Sequence, residues 1–265
     1  MKWGRSRLYP KQQAAIFTDR RFTVLWGSTK SGKTHGALVW LFEHAWNVAP
    51  GRKPPQLWWI APVHRQARIA FRRAVASLKR AGVKVYINRS DQSIVLPWNG
   101  ARIVFLSGKN ADNLYGEEVQ AVVIDEAPRV SDASWAAVRS TLSTTQGPVL
   151  CVGNVTGYHT WVHRLCESDY TAEATLTAYD AADAGVLPRS EIEIAKDTLP
   201  LPEFEELYLC IPRLAGSNPL GTPDQITACI HQLSEESPVV WGIDLAKHVD
   251  YTAVSYTHLT LPTKA

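Results

Sequence analysis

Two short stretches hold the side chains best suited by type and spacing to chemistry. The first, Gly27-Ser28-Thr29-Lys30-Ser31-Gly32-Lys33-Thr34, fits GxxxxGK[ST]. It follows an apolar run, Phe22–Trp26, and opens a helical pattern, HGALVWLFEHA. In that strand–loop–helix setting the glycines let backbone N–H groups converge on phosphate oxygens. The helix N-terminus adds partial positive charge at the same place. Lys33 is then expected on the β- and γ-phosphates of ATP, and the Thr34 hydroxyl on Mg²⁺. The alternative is a Gly/Ser turn that happens to carry a lysine.

The second stretch is AVVIDEAPRV. Val122–Ile124 read as a buried strand that delivers two adjacent carboxylates at its tip, Asp125 and Glu126. Hydrolysis needs a metal anchor and a group that orients the attacking water. Asp125 is expected to hold Mg²⁺ and Glu126 to act as base. The bland reading of the pair is a solvated strand end or a helix cap. Downstream, PVLCVGN is a further buried strand ending in Asn154, a candidate sensor of the terminal phosphate; an ordinary Gly-Asn turn is the alternative.

These groups need a scaffold that brings several strand tips to one edge. Strand-like runs at Phe22–Trp26, Leu57–Ala61, Lys84–Ile87, Arg102–Leu106, Ala121–Asp125 and Pro148–Gly153 alternate with helical patterns. Several are apolar without alternation, as in parallel strands buried on both faces. The expected fold is α/β with right-handed crossovers. Between Pro62 and Gly82, Ala67, Ala70, Ala74 and Leu78 recur at helical spacing and should face the core, while Arg65, Arg68 and Arg72 share another face. That helix lies in a stretch from Glu43 to Asp91 with no acid between them and ten Lys or Arg. Such a stretch is a solvated basic face or a surface for a polyanion.

Composition sets bounds. The chain has 265 residues, 45% hydrophobic and 20% charged, with net charge +3. These are globular values that argue against disorder. No apolar run reaches the ~18–20 residues of a membrane span, and the N-terminus has no secretory h-region. Cys151, Cys166, Cys210 and Cys229 form no CxxC pair and read as reduced thiols of a cytosolic protein. Past Leu199, LPEFEELYL reads as a short helix, and Pro212–Pro223 as a Pro/Gly/Ser-rich loop. VVWGIDLA and YTAVSY then suggest the opening hairpin of a further sheet.

Taken together, these motifs resemble the large terminase subunit of tailed bacteriophages. LYPKQQAAI is similar to that family's adenine-contacting segment, with Gln12 at its glutamine. The run IVFLSGKNADNLYGEEVQAVVIDEA matches the family's order of strand, polar segment, Leu-x-Gly and acidic strand. VRSTL, with Arg139, resembles the arginine-bearing helix that follows; GNVTGYHTWVHRL resembles the coupling motif; GIDLAKHVDYTA resembles the first nuclease strand, with Asp244 at a metal-binding aspartate. The resemblance departs at Thr29 and Lys30, where relatives often carry an arginine, and at Tyr115, where they often show another. Arg129 and Arg139 are the candidate replacement cations.

The resemblance implies an α/β P-loop NTPase of the ASCE/RecA-like type over residues 1–211, with a mostly parallel central sheet flanked by helices. It implies a linker at 212–237 and the truncated start of an RNase H-like nuclease domain at 238–265, without nuclease activity. It implies a DNA-packaging ATPase using ATP and Mg²⁺, with Lys33, Glu126 and Arg139 catalytic. Implied partners are double-stranded DNA, a portal protein, a small terminase subunit and further copies of the chain in a ring, in the host-cell cytoplasm and away from membranes. Two other functions fit the phosphate loop: a nucleotide-gated assembly scaffold and a P-loop kinase of a small molecule.

Overall fold

A computed structural model describes residues 5–51, 53–157, 160–213, 241–244 and 253–256. The chain divides into two compact units, Met1–Gly216 and Ser217–Ala265.

In the first unit the elements run α1 (Pro10–Ile16), β1 (Phe22–Gly27), α2 (Lys33–Asn47), β2 (Gln56–Ala61) and α3 (His64–Arg80). Next come β3 (Tyr86–Asn88), β4 (Ser93–Val95), β5 (Arg102–Ser107), β6 (Val119–Asp125), α4 (Asp132–Thr141) and β7 (Val149–Gly153). The unit ends with α5 (Trp161–Cys166), β8 (Thr171–Leu176), α6 (Ala178–Asp183), α7 (Arg189–Thr198) and α8 (Leu201–Phe204), which runs into a π-helical turn, Glu205–Leu209. The strands form one sheet in the order β3-β4-β5-β2-β6-β7-β1-β8. From β5 to β8 all neighbours are parallel; β4 is antiparallel to both β3 and β5.

The apolar runs make this sheet because their side chains fill two layers. Leu25, Trp59, Phe105, Val123 and Leu150 point to one face, against Leu41 and Phe42 of α2 and Ala67, Ala70, Ala74 and Leu78 of α3. Their chain neighbours Val24, Trp58, Val104, Val122 and Cys151 point to the other, against Val138 of α4 and Trp161 of α5. The period-two alternation explains why apolar residues run on without a break through the middle of these strands, as at Val24–Trp26, Leu57–Ala61 and Ala121–Ile124: neither face meets water. Burying a Leu- or Trp-sized side chain in either layer contributes roughly 1.5–3 kcal/mol.

The expected helix over the basic stretch forms, with Ala67, Ala70, Ala74 and Leu78 buried and Arg65, Arg68 and Arg72 exposed. Gly82, at φ 67°, follows it and donates its N–H to Lys79 O at 3.1 Å, the left-handed stop its lack of a Cβ permits. The strand expected at Lys84–Ile87 is displaced to Tyr86–Asn88 and lies antiparallel at the sheet edge, with all three residues exposed.

In the second unit β9 (Trp241–Asp244) pairs antiparallel with β10 (Ala253–Tyr256), in a register that sets Asp244 opposite Ala253. The expected linker at 212–237 falls almost wholly outside the described residues, and so do 257–265 and Cys229. No helix among the described residues is long and apolar enough to cross a membrane.

Candidate active site

Because β1, β6 and β7 are parallel neighbours, their C-terminal tips share one edge, the place where an open α/β sheet takes its ligands. β1 ends at Gly27 and hands the chain to the loop; β6 ends at Asp125; β7 ends one residue before Asn154. A cleft of about 610 Å³ opens there. Its wall includes Thr29, Lys30, Gly32, Lys33, Thr34, Glu126, Arg129 and Asn154. The sequence-predicted phosphate loop, the base and the sensor thus meet in one place.

Ser28 and Ser31 are fully buried. Ser28 donates its backbone N–H to Leu176 O at 2.8 Å, and the Ser31 hydroxyl donates to Ser28 O at 2.9 Å. Lys30 and Gly32 adopt left-handed φ of 60° and 84°. A Cβ on Gly27 would lie 2.9 Å from Ser31 Oγ and 3.0 Å from Lys33 Cδ. That crowding is why the lysine can fold back across the loop only over a glycine.

Lys33 Nζ donates to Asn154 Oδ1 at 2.6 Å and to the carbonyls of Gly27 and Ser28 at 3.2 and 3.3 Å. Burial pushes its ammonium below the usual lysine range, while the charges of Glu126 and Asp125 hold it up.

Asp125 is 8% exposed, and its Oδ1 is buried with no hydrogen-bond partner. Burial and the neighbouring Glu126 charge raise its carboxyl to about 7, against the opposing fields of Lys33 and Arg73. A buried carboxylate oxygen without a donor is costly unless a cation completes it. With the Thr34 hydroxyl on the same cleft, Asp125 fits a hard, oxygen-seeking ion such as Mg²⁺. Glu126 adopts φ 51°, ψ 45°, a conformation unfavourable by roughly 1–2 kcal/mol for a residue with a Cβ. The turn separates the two carboxylates: Asp125 is buried at the strand tip, and Glu126 stands on the cleft wall.

Two expected residues lie elsewhere. The Arg139 guanidinium packs 5.1 Å from the ring centre of Phe22, the first residue of β1. Gly27, at the cleft, is five residues further along that strand, or roughly 16 Å at ~3.3 Å per residue. α4 runs back along the sheet after β6, so its last turn ends at the wrong edge for Arg139 to act on its own subunit's cleft. Gln12 is 3% exposed and gives its amide N–H to Gly32 O at 2.8 Å. It braces the loop from beneath rather than lining the cleft wall.

The wall residues that escaped the sequence reading as cleft residues include His35, Gln66, Arg73 and Glu206. Gln66 and Arg73 are seven apart on α3, close to two helical turns, a signal that existed but was hidden in a uniformly basic helix. Glu206 sits in the π-helical turn, where Leu207 O accepts the Thr29 N–H at 2.8 Å; no local spacing announces that contact.

The family described as "Terminase large subunit, T4likevirus-type, N-terminal" matches residues 24–218, which is most of the chain and includes the whole cleft. The chain belongs to this family. The terminase large subunit of Thermus phage G20c is 31% identical over 157 residues, covering 51% of this chain and 31% of that protein. The chain thus spans about a third of the length of that curated relative. The Thermus phage P74-26 large terminase ATPase domain superposes with TM-score 0.64 at 22% identity, over 77% of this chain and 93% of that one. A large terminase from a thermophilic bacteriophage, in complex with ATP-gamma-S, gives 0.64 at 14% identity, over 76% of this chain and 52% of that one. At these identities the structures share the fold: a large-terminase ATPase fold, α/β with a mostly parallel sheet flanked by helices.

Proposed function

We propose that the chain is the ATP-hydrolysing motor domain of a phage large terminase, which moves double-stranded DNA toward a procapsid in the host-cell cytoplasm. The observation that carries this is the cleft itself, where Lys33, Glu126 and Asn154 share one wall with Asp125 at the strand tip beside them. The ATP-gamma-S bound to the thermophilic phage's large terminase supports the same reading. Mg²⁺, held by Thr34 and Asp125, would supply electrostatic stabilisation of charge on the phosphates. Lys33 binds the β- and γ-phosphates, helped by the loop N–H groups and the start of α2. Glu126 takes the proton of the attacking water. Asn154, on Lys33, links the phosphate state to β7. Gln12 keeps the loop in shape from beneath. Asp244 is proposed as the remnant of a nuclease metal site, without nuclease activity.

DNA would be held through its phosphates, without regard to sequence, by the exposed Arg65, Arg68 and Arg72 of α3. None of the three makes an ion pair among the described residues. Packaging further calls for a portal protein, a small terminase subunit and a ring of identical copies, in which Arg139 is available to a neighbour's cleft. The test is ATP turnover with and without duplex DNA for the wild type and Glu126→Gln. A motor gives DNA-stimulated turnover that falls by roughly 10²–10⁴-fold in the variant. Equal rates support the scaffold reading instead, and phosphate transfer to an added small molecule the kinase reading.

A further inference from the structure

α3 carries two rows of polar side chains. Arg65 and Arg72 lie in one row facing solvent; Gln66 and Arg73 lie in the next, about 100° round the helix, and line the cleft with Lys33 and Glu126. Arg73 is in no ion pair among the described residues. Its charge nevertheless reaches the buried Asp125 carboxyl. Beside it, Gln66 Oε1 is buried without a hydrogen-bond partner, so this wall offers polar groups that nothing in the protein satisfies.

The electrostatics explain why a cation is wanted there. A triphosphate anchored at the start of α2 extends its last phosphate toward Glu126, away from the partial charge of the helix N-terminus, which fades within a turn. At that end the anionic tail meets two carboxylates. Lys33 is already drawn back onto Asn154 and the loop carbonyls. A guanidinium fits three phosphate oxygens better than an ammonium does, because its planar fork can donate two parallel hydrogen bonds. Arg129 shares the wall but sits in a three-residue 3-10 turn, whereas Arg73 is mounted on a helix of 17 residues packed on the sheet.

Resting on the nucleotide reading above, we propose that Arg73 contacts the terminal phosphate within its own subunit and so makes the cleft prefer a triphosphate to a diphosphate. The same helix then carries the phosphate contact on one row and the DNA-facing arginines on the next. Hydrolysis, which removes Arg73's ligand, is felt by a rigid element that touches the track.

Equilibrium binding of ATP-γ-S and ADP, each with Mg²⁺, to the full chain tests this without turnover. Arg73→Ala should weaken ATP-γ-S about tenfold or more and ADP less than about twofold, with Arg73→Lys in between, as expected for loss of a charge-assisted fork. Lys79→Ala, on the same helix outside the cleft, should keep the wild-type ratio. Equal weakening of both nucleotides by Arg73→Ala, or of neither, overturns the proposal. So does a variant that loses only DNA stimulation. A wild type that binds neither nucleotide overturns the nucleotide reading itself, an outcome separate from any behaviour of the variants.

Discussion

Lys33 Nζ and Asn154 Oδ1 lie 2.6 Å apart, so the loop lysine is docked on the tip of β7. A phosphate must compete with that contact for the same ammonium. The sensor role proposed for Asn154 therefore predicts that nucleotide binding draws Lys33 away from it.

Removing the dock separates binding from turnover. Asn154→Ala frees Lys33 for phosphate, so ATP-γ-S should bind no more weakly than to the wild type. Loss of a charge-assisted hydrogen bond should lower the stability of the nucleotide-free protein by about 1–3 kcal/mol. Turnover should fall by about tenfold or more, because the released β7 tip no longer responds to the phosphate. Calorimetry, urea unfolding and phosphate release read the three effects; a tenfold loss of ATP-γ-S affinity contradicts the dock.

Asp125 makes stability depend on pH. Its folded carboxyl, at about 7, lies above the ordinary 3.8, so the fold favours the protonated form. The stability this gives is full below about pH 4 and is lost as pH rises through 7. Without divalent metal, thermal unfolding should therefore occur at a lower temperature at pH 8 than at pH 6. Mg²⁺ should reverse the loss at pH 8 by neutralising the buried carboxylate. Asp125→Asn should be more stable than the wild type at pH 8 in chelator, by up to a few kcal/mol, and should gain little from Mg²⁺. A wild type indifferent to Mg²⁺ at pH 8 would contradict this account.

Gly153 tests the geometry behind the carboxylate turn. A Cβ there would lie 2.7 Å from Pro128 Cδ, in the turn that follows Glu126. Gly153→Ala must push that rigid ring, at an overpacking cost of about 1–3 kcal/mol. Glu126 moves with it, whereas the phosphate loop, on β1, does not. Nucleotide affinity should stay within about threefold of the wild type while turnover falls by about 10²-fold, as misplacement near 1 Å can cause. Parallel losses of affinity and turnover would show that the turn and the loop are not independent.

The parts legible in the sequence are those fixed by short-range rules. The loop at 27–34 and the Asp125–Glu126 tip were legible because a buried strand, a turn and a helix start each leave a local signature. The face of α3 was legible from Ala67, Ala70, Ala74 and Leu78. β8 escaped because Thr171–Leu176 is mostly half-exposed or exposed at a sheet edge, and TAEATL has no apolar run to mark it. Arg139 lies far from the cleft of its own chain for a different reason. Its residue type suits phosphate chemistry, but which edge of the sheet it reaches depends on the direction of α4, which no spacing encodes. Thr29 N–H on Leu207 O joins residues nearly 180 apart in the chain and depends on tertiary packing throughout.

Gln12 gives the sharpest test of a role reassigned by the structure. Its amide donates to Gly32 O, and a Cβ on Gly32 or Gly36 would come within 3.0 or 2.9 Å of its Nε2. It is thus wedged beneath the loop where α2 begins. If this bracing dominates, Gln12→Ala removes one of the two donors on Gly32 O, which keeps the Gly36 N–H at 2.9 Å, and leaves a void below the loop, so every nucleotide should suffer alike: ATP-γ-S, GTP-γ-S and ADP each weaken by about two- to tenfold, following the ~0.5–1.5 kcal/mol of a lost hydrogen bond. If Gln12 instead reads the base, ATP-γ-S weakens while GTP-γ-S does not, and the preference between them collapses. The structure favours uniform loss, because the amide that would face adenine is already bonded to the loop. Gly36→Ala should reproduce that loss with Gln12 intact, by pressing its new methyl on Gln12 Nε2 and on Ile16 Cδ1, 3.1 Å away.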